Sequence, residues 1–175
     1  MKKKTLALVL ALTLLVAGVV GGTLAWLTDQ TAEVKNTFTV GDINIGLTET
    51  TADYKMVPGN TIAKDPTVTV KANSEACWLF VQVTESTDLK DFITYAIAEG
   101  WTELEAGVYY REVPASAADQ TFSVLKGDAV TVNSDVTKEM LTAKDFANPT
   151  LTFKAYAIQK AHFATADAAW AEVSK

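Results

Sequence analysis

Apolar residues recur at every second position through much of this chain, and only seldom at the three-to-four spacing of a helix. The clearest stretch is Cys77 to Glu85. Cys77, Leu79, Val81 and Val83 point one way, and Trp78, Phe80, Gln82 and Thr84 the other, which is the period of a strand. Apolar groups on both faces at its start predict a central place in its sheet. Pro66 to Val70 alternates too, with Val68 and Val70 on one face. Thr150 to Ala161 is a longer alternating run, with Tyr156 and Ile158 on one side and Leu151 and Phe153 on the other. Between Thr37 and Thr48 two alternating sets occur, Phe38 with Val40, and Ile43 with Ile45 and Leu47. They are out of phase, so Gly41-Asp42 predicts a bulge or tight turn, and the segment reads as two strand pieces or one bent strand.

Turn chemistry punctuates these runs. Met56-Val57-Pro58-Gly59-Asn60 is a turn signal, since Pro fixes φ and Gly accepts positive φ. Lys71 to Glu75 is a polar connection. Glu105-Ala106-Gly107 predicts a hairpin between Trp101–Leu104 and Val108–Val113, and Lys126-Gly127-Asp128 a turn between Phe122–Leu125 and Ala129–Val132. Helical spacing occurs twice. Thr87 or Asp88 can cap a helix over about Leu89–Glu99, with Leu89, Phe92, Ile93 and Ala96 on one face and Gly100 at its end. Thr165 can cap a short closing helix in which Trp170 and Val173 stand at i and i+3. About eight short strands, two helices and no alternation of strand with helix predict a mainly-β single domain, an antiparallel β-sandwich or jelly-roll-like fold with one or two short helices.

The first residues obey a different rule. Lys2-Lys3-Lys4 precedes an apolar stretch from Leu6 to Val20 that only Thr13 and Gly18 interrupt; Gly21-Gly22 ends it, and Thr23-Leu24-Ala25 offers small residues. These are the three parts of a secretory signal, so a signal-peptide helix is expected ahead of the domain, with Thr23 and Ala25 read by a signal peptidase and Trp26 as the new terminus. The alternative is an uncleaved anchor, because Leu6 to Leu27 almost reaches the roughly 20 apolar residues that span a bilayer. Gly21-Gly22 weakens a helix at that end and favours cleavage. The expected organisation is a signal peptide at 1–25, an extended polar arm at 26–36 and the sandwich domain at 37–175.

Charge then narrows the partners. The whole chain has 15 basic and 21 acidic side chains; loss of the leader would leave 12 against 21, a balance of −9. Phosphate binding needs clustered Lys and Arg, so nucleic acid is not an expected partner, and the membrane is expected only through the leader before cleavage. One cysteine, Cys77, permits no internal disulfide, and its place in an apolar strand predicts a buried, inert thiol. One histidine, His162, cannot supply the paired histidines of a zincin, nor is there a Gly-rich phosphate loop. Asp88/Asp91 and Glu103/Glu105 are carboxylate pairs, the first suited to a helix start. Tyr109 and Tyr110 could mark a sugar or partner surface, although alternation predicts that at least one is core. No cofactor, metal site or catalytic residue is expected.

Gly22-Thr23-Leu24-Ala25-Trp26-Leu27-Thr28-Asp29, followed by Asn36-Thr37-Phe38-Thr39-Val40-Gly41-Asp42-Ile43-Asn44-Ile45, resembles the leader and first strand of the TasA/camelysin family of exported Gram-positive proteins. Pro58-Gly59-Asn60, Val68 to Lys71 and Trp78 to Val83 resemble its next block, and the tail from Ala155 through Trp170 a clostridial-type subgroup. The resemblance is specific in the leader and first strand and diffuse elsewhere. It implies release by a SipW-type signal peptidase and a jelly-roll-like subunit of surface or biofilm fibres, joined to like subunits by a donated strand. The donor would be the arm from Trp26 to about Val40, with Trp26, Leu27, Phe38 and Val40 as its apolar residues. A disordered tail, or pairing within its own subunit, is the alternative for that arm. The same fold could serve a monomeric secreted binding module or adhesin, or a chain that stays tethered by its leader. The peptidase activity ascribed to camelysin-like proteins has the weakest support here, given a single histidine.

Overall fold

The computed structural model describes residues 42–51, 54–142 and 148–175. The expected leader, and the arm through Val40, lie outside them. Among the described residues the chain is mainly β, with ten strands in three antiparallel sheets and three short helices.

The first layer is the sheet β10-β4-β7-β6. Its centre is β4 (Cys77–Glu85), the strand with apolar residues on both faces. It pairs along its whole length with β10 (Leu151–Gln159), from Glu85↔Leu151 to Cys77↔Gln159, and on its other side with β7 (Val108–Val113). Strand β6 (Thr102–Glu105) closes the expected hairpin with β7, with a bulge between Glu103 and Glu105. Gly107 in that turn has φ +78°, and a Cβ there would meet the backbone oxygen of Val83 at 2.7 Å, so only glycine fits. The close approach permits the Val83 N–H to donate to the Gly107 carbonyl at 2.7 Å.

The second layer holds two sheets, β1-β3-β8 and β2-β9-β5. They comprise β1 (Ile45–Thr48), β2 (Thr61–Ala63), β3 (Thr67–Val70), β5 (Ile93–Thr94), β8 (Gln120–Ser123) and β9 (Ala129–Val132). Each pairing runs one step past its strands, Val124 N–H donating to the Pro66 carbonyl at 2.9 Å beside β3 and β8, and Lys64 N–H to the Asp128 carbonyl at 2.8 Å beside β2 and β9. The two sheets therefore meet where the chain passes from β2 to β3 and from β8 to β9. Lys126-Gly127-Asp128 is a turn, as expected, but it does not fold β8 back on β9. Gly127 (φ +68°) and Asp128 (φ +51°) bend the chain so that β8 pairs with β3 while β9 pairs with β2 and β5. The chain passes between layers from β3 to β4, from β4 to β5, from β5 to β6, from β7 to β8 and from β9 to β10, which is the interleaving of a jelly roll.

Val68 and Val70 of β3 and Val124 meet Cys77, Leu79, Val81 and Val83 of β4 and Val113 of β7 in one core. All are almost fully buried, and each such side chain is worth roughly 1.5–3 kcal/mol in apolar area removed from water. The opposite face of β4 is also covered. Helix α3 (Ala166–Val173) lays Ala166, Ala169 and Trp170 over Trp78, Phe80 and Val108. It begins as its sequence predicts, with the Thr165 hydroxyl accepting from Ala168 N–H at 3.3 Å.

The helix expected over Leu89–Glu99 is much shorter: α1 is Leu89–Phe92 only. Asp88 takes the N-cap position without a side-chain capping bond. Ile93 then turns extended and pairs with Val132, and Leu89, Phe92 and Ile93 are buried against Leu125, Val130 and Val132. Ile-Thr-Tyr favours a pleated surface, and available strand partners override helical spacing. Strands β2 and β5 and helix α2 (Lys138–Thr142) carry too few residues to show a period.

Candidate functional site

Thr23, Ala25 and Trp26 of the expected processing site, and the arm residues Trp26, Leu27, Phe38 and Val40, all lie outside the described residues. The structure instead describes the two flanks of the sandwich, where each layer ends.

One flank is formed by β1 and β10. Among the described residues β1 pairs only with β3, and β10 only with β4. Among the described residues the outer edge of β10 is therefore a nine-residue run without a strand partner. Between the two edges opens a cleft of about 330 Å³, in which Leu47, Pro66, Leu151 and Phe153 supply apolar walls and Glu49 and Lys64 the charge. Leu47 is 36% exposed, one of only two large hydrophobic residues exposed to that degree among those described.

Lys64 is the residue that the sequence reading passed over. Its residue is 7% exposed, and its ammonium meets Glu49 Oε1 at 2.6 Å and lies 4.9 Å from the Tyr54 ring centre and 5.4 Å from that of Phe153. Tyr54 donates its hydroxyl to the same Glu49 oxygen at 2.7 Å. Burial, then the Glu49 hydrogen bond and charge, push the Tyr54 phenol well above its usual range. The signal was present: Ile62, Lys64, Pro66, Val68 and Val70 share one phase, so Lys64 belongs to the inward face.

The other flank lies between β5 and β7. A cleft of about 500 Å³ there is lined by Glu85, Lys90, Tyr95 and Tyr109. Tyr95 donates its hydroxyl to Glu85 Oε1 at 2.5 Å, and Lys90 approaches the other Glu85 oxygen at 3.4 Å. Burial raises the Tyr95 phenol, and the Glu85 hydrogen bond and charge add to it. Tyr109 is raised by burial first, then by Glu103 and Glu85. Of the tyrosine pair singled out from sequence, Tyr109 lines this cleft while Tyr110 packs edge-on against Trp78 at 5.8 Å beneath α3.

Cys77 is fully buried, and burial pushes its thiol up to about 11, so almost none is thiolate near neutral pH. His162 is exposed in a short 3₁₀ turn (Lys160–His162) after β10. Among the described residues no three His, Cys, Asp or Glu side chains gather as a metal site would need, and no helix is long and apolar enough to cross a membrane. Asp88 and Asp91 sit at the start of α1, as expected of the first carboxylate pair.

Among the described residues, an antiparallel β-sandwich with a core between its layers and a second under α3 is the class these features define. No family model matches the chain, and neither a curated protein nor a solved structure is significantly similar to it.

Proposed function

We propose that this chain is an exported cell-surface or extracellular-matrix structural protein, a TasA-like fibre or biofilm subunit that gives its N-terminal arm to a neighbour's sheet and performs no bond-making chemistry. The observation that carries this reading is the outer edge of β10: nine residues, hydrogen-bonded on one side only among the described residues. An edge of that length offers backbone donors and acceptors that an extended segment from another chain can satisfy. The cleft beside it, walled by Leu47, Leu151 and Phe153, suits apolar side chains of the kind the arm carries in Trp26, Leu27, Phe38 and Val40. Reach is sufficient. The 15 residues from Trp26 to Val40 extend to about 50 Å at ~3.4 Å per residue, against a radius of gyration of about 14 Å for a domain of this size.

In this reading the leader is removed by a SipW-type signal peptidase, and like subunits are the partners. The secreted protein should begin at Trp26 by mass spectrometry and form filaments visible by electron microscopy. Deletion of residues 26–36 should leave monomers. Filaments that persist after that deletion would reject strand donation.

A second reading, a monomeric secreted binding module, is favoured by the cleft of Tyr95, Tyr109, Glu85 and Lys90, which joins aromatic faces to polar groups. It predicts a monomer at all concentrations and a bound glycan or peptide that protects Tyr109 from chemical modification.

A further inference from the structure

Arg111 is the sole arginine in a chain with 21 acidic side chains, yet no carboxylate among the described residues pairs with it. All five ion pairs among the described residues use lysine. Arg111 sits on β7 opposite Leu79, whose side chain is fully buried in the core between the layers, so its stem lies on the inward face. Its guanidinium carbon is 4.0 Å from the ring centre of Phe122, on β8 in the facing layer, and 5.3 Å from that of Trp101. Both rings are fixed. Phe122 is held in register with Val68, and the Trp101 indole N–H donates to the Ser123 carbonyl at 2.9 Å. Gly100 leaves the space the group occupies, because a Cβ there would stand 3.0 Å from one terminal nitrogen.

Among the described residues the guanidinium is thus held by rings, without hydrogen bonds. Its Nε–H is buried with no partner, while the two terminal nitrogens are neither buried nor bonded among the described residues. Burial lowers its affinity for its proton, yet an arginine stays charged. A charge in that position is incompletely solvated, and the terminal pair of N–H groups matches a planar carboxylate in a two-bond fork. We propose that Arg111 is a carboxylate receptor: a preorganised guanidinium, packed on Phe122 and Trp101 at the rim of the sandwich, that takes a carboxylate from outside its own domain. That carboxylate can come from a small acid or from a second copy of this acidic chain.

A single arginine provides its own reporter, since protein labelled with ¹⁵N-arginine gives one Nε–H signal. The protein, in the form its producing cell makes, is titrated with acetate at constant ionic strength, and chloride is the control. The expected result is a saturable shift of the Nε–H signal, and of the Trp101 indole N–H in protein labelled with ¹⁵N-tryptophan, with acetate, and none with chloride. A shift that grows as the protein alone is concentrated, and that acetate reverses, identifies the source as a second copy. Arg111→Lys keeps the charge, loses the fork, and should abolish the Trp101 response. No saturable shift in the native protein, or the same shift with chloride, would overturn the proposal, and neither result depends on a variant that folds. Filament formation is a separate readout, so this test and that of strand donation fail independently.

Discussion

The indole N–H of Trp170 donates to Glu105 Oε1 at 2.7 Å, tying the C-terminal helix to the end of edge strand β6, 65 residues earlier in the chain. The same ring lies 5.3 Å from that of Phe80 and stands edge-on to Tyr156 at 5.2 Å. One side chain thereby touches three strands of the first layer.

Trp170→Ala should therefore cost about 3–5 kcal/mol, as truncation of a buried tryptophan does. Trp170→Phe keeps most of the aromatic contact and loses the N–H donor, so it should cost less, on the order of 1–2 kcal/mol. Urea unfolding followed by circular dichroism measures both. Equal losses would show that the ring packing contributes little.

Removal of Glu49 should be worse than removal of Lys64. Side-chain exposure is 8% for Lys64 and 23% for Glu49, so Glu49→Gln strands an ammonium in a nearly dry place, whereas Lys64→Met leaves a carboxylate that still reaches water and the Tyr54 hydroxyl. Breaking a fully buried pair costs about 3–5 kcal/mol; with Glu49 partly exposed, about 2–3 kcal/mol is expected for Glu49→Gln. The double variant should be no less stable than Glu49→Gln alone. The reverse order of denaturation midpoints would contradict the assigned burial.

Acid should weaken the domain through two surface carboxylates. Asp119 accepts from the Ala72 N–H at 2.8 Å and from the Lys71 ammonium at 3.0 Å; Asp65 accepts from the Thr50 hydroxyl and from the Thr50 N–H at 2.9 Å. The Ala72 hydrogen bond foremost holds the Asp119 carboxyl below the usual range, and the Thr50 hydroxyl does the same for Asp65. A carboxyl lowered on folding contributes stability that is complete above its unfolded value, near 3.9, and is lost as pH falls through the folded one. The urea midpoint should thus drop as pH falls below about 4. Asp65→Asn with Asp119→Asn should flatten that drop and lower the midpoint at pH 6. An unchanged acid slope in the double variant would place the loss elsewhere.

Alternation made the large elements legible. Cys77–Glu85 showed both its length and its central place, because its two faces meet different cores. Thr150 to Ala161 divided its faces as the structure does: Tyr156 and Ile158 pair with Phe80 and Trp78, under α3, and Leu151 and Phe153 face the other layer. Long-range pairing was not legible. Nothing local in Ile93-Thr94 announces Val132 and Thr131 as partners, so helical spacing was followed past the point where the helix stops. Lys126-Gly127-Asp128 was readable as a turn, while its role in sending β8 and β9 to different partners depends on β2 and β3, more than 50 residues earlier. At the candidate site, Lys64 was in phase with its buried neighbours and could have been found by that alone. Arg111 gave no such sign, because its rings come from Trp101 and from a strand of the opposite layer.

The covering of β4 on both faces limits how such domains can add to one another. Helix α3 covers one outer surface over Trp78 and Phe80, and the outer face of β3 and β8 carries the short polar side chains Thr67, Thr69, Thr121 and Ser123. Stacking broad side to broad side would gain little. In the proposed reading copies join rim to rim, and repeated rim contacts would draw out a cord.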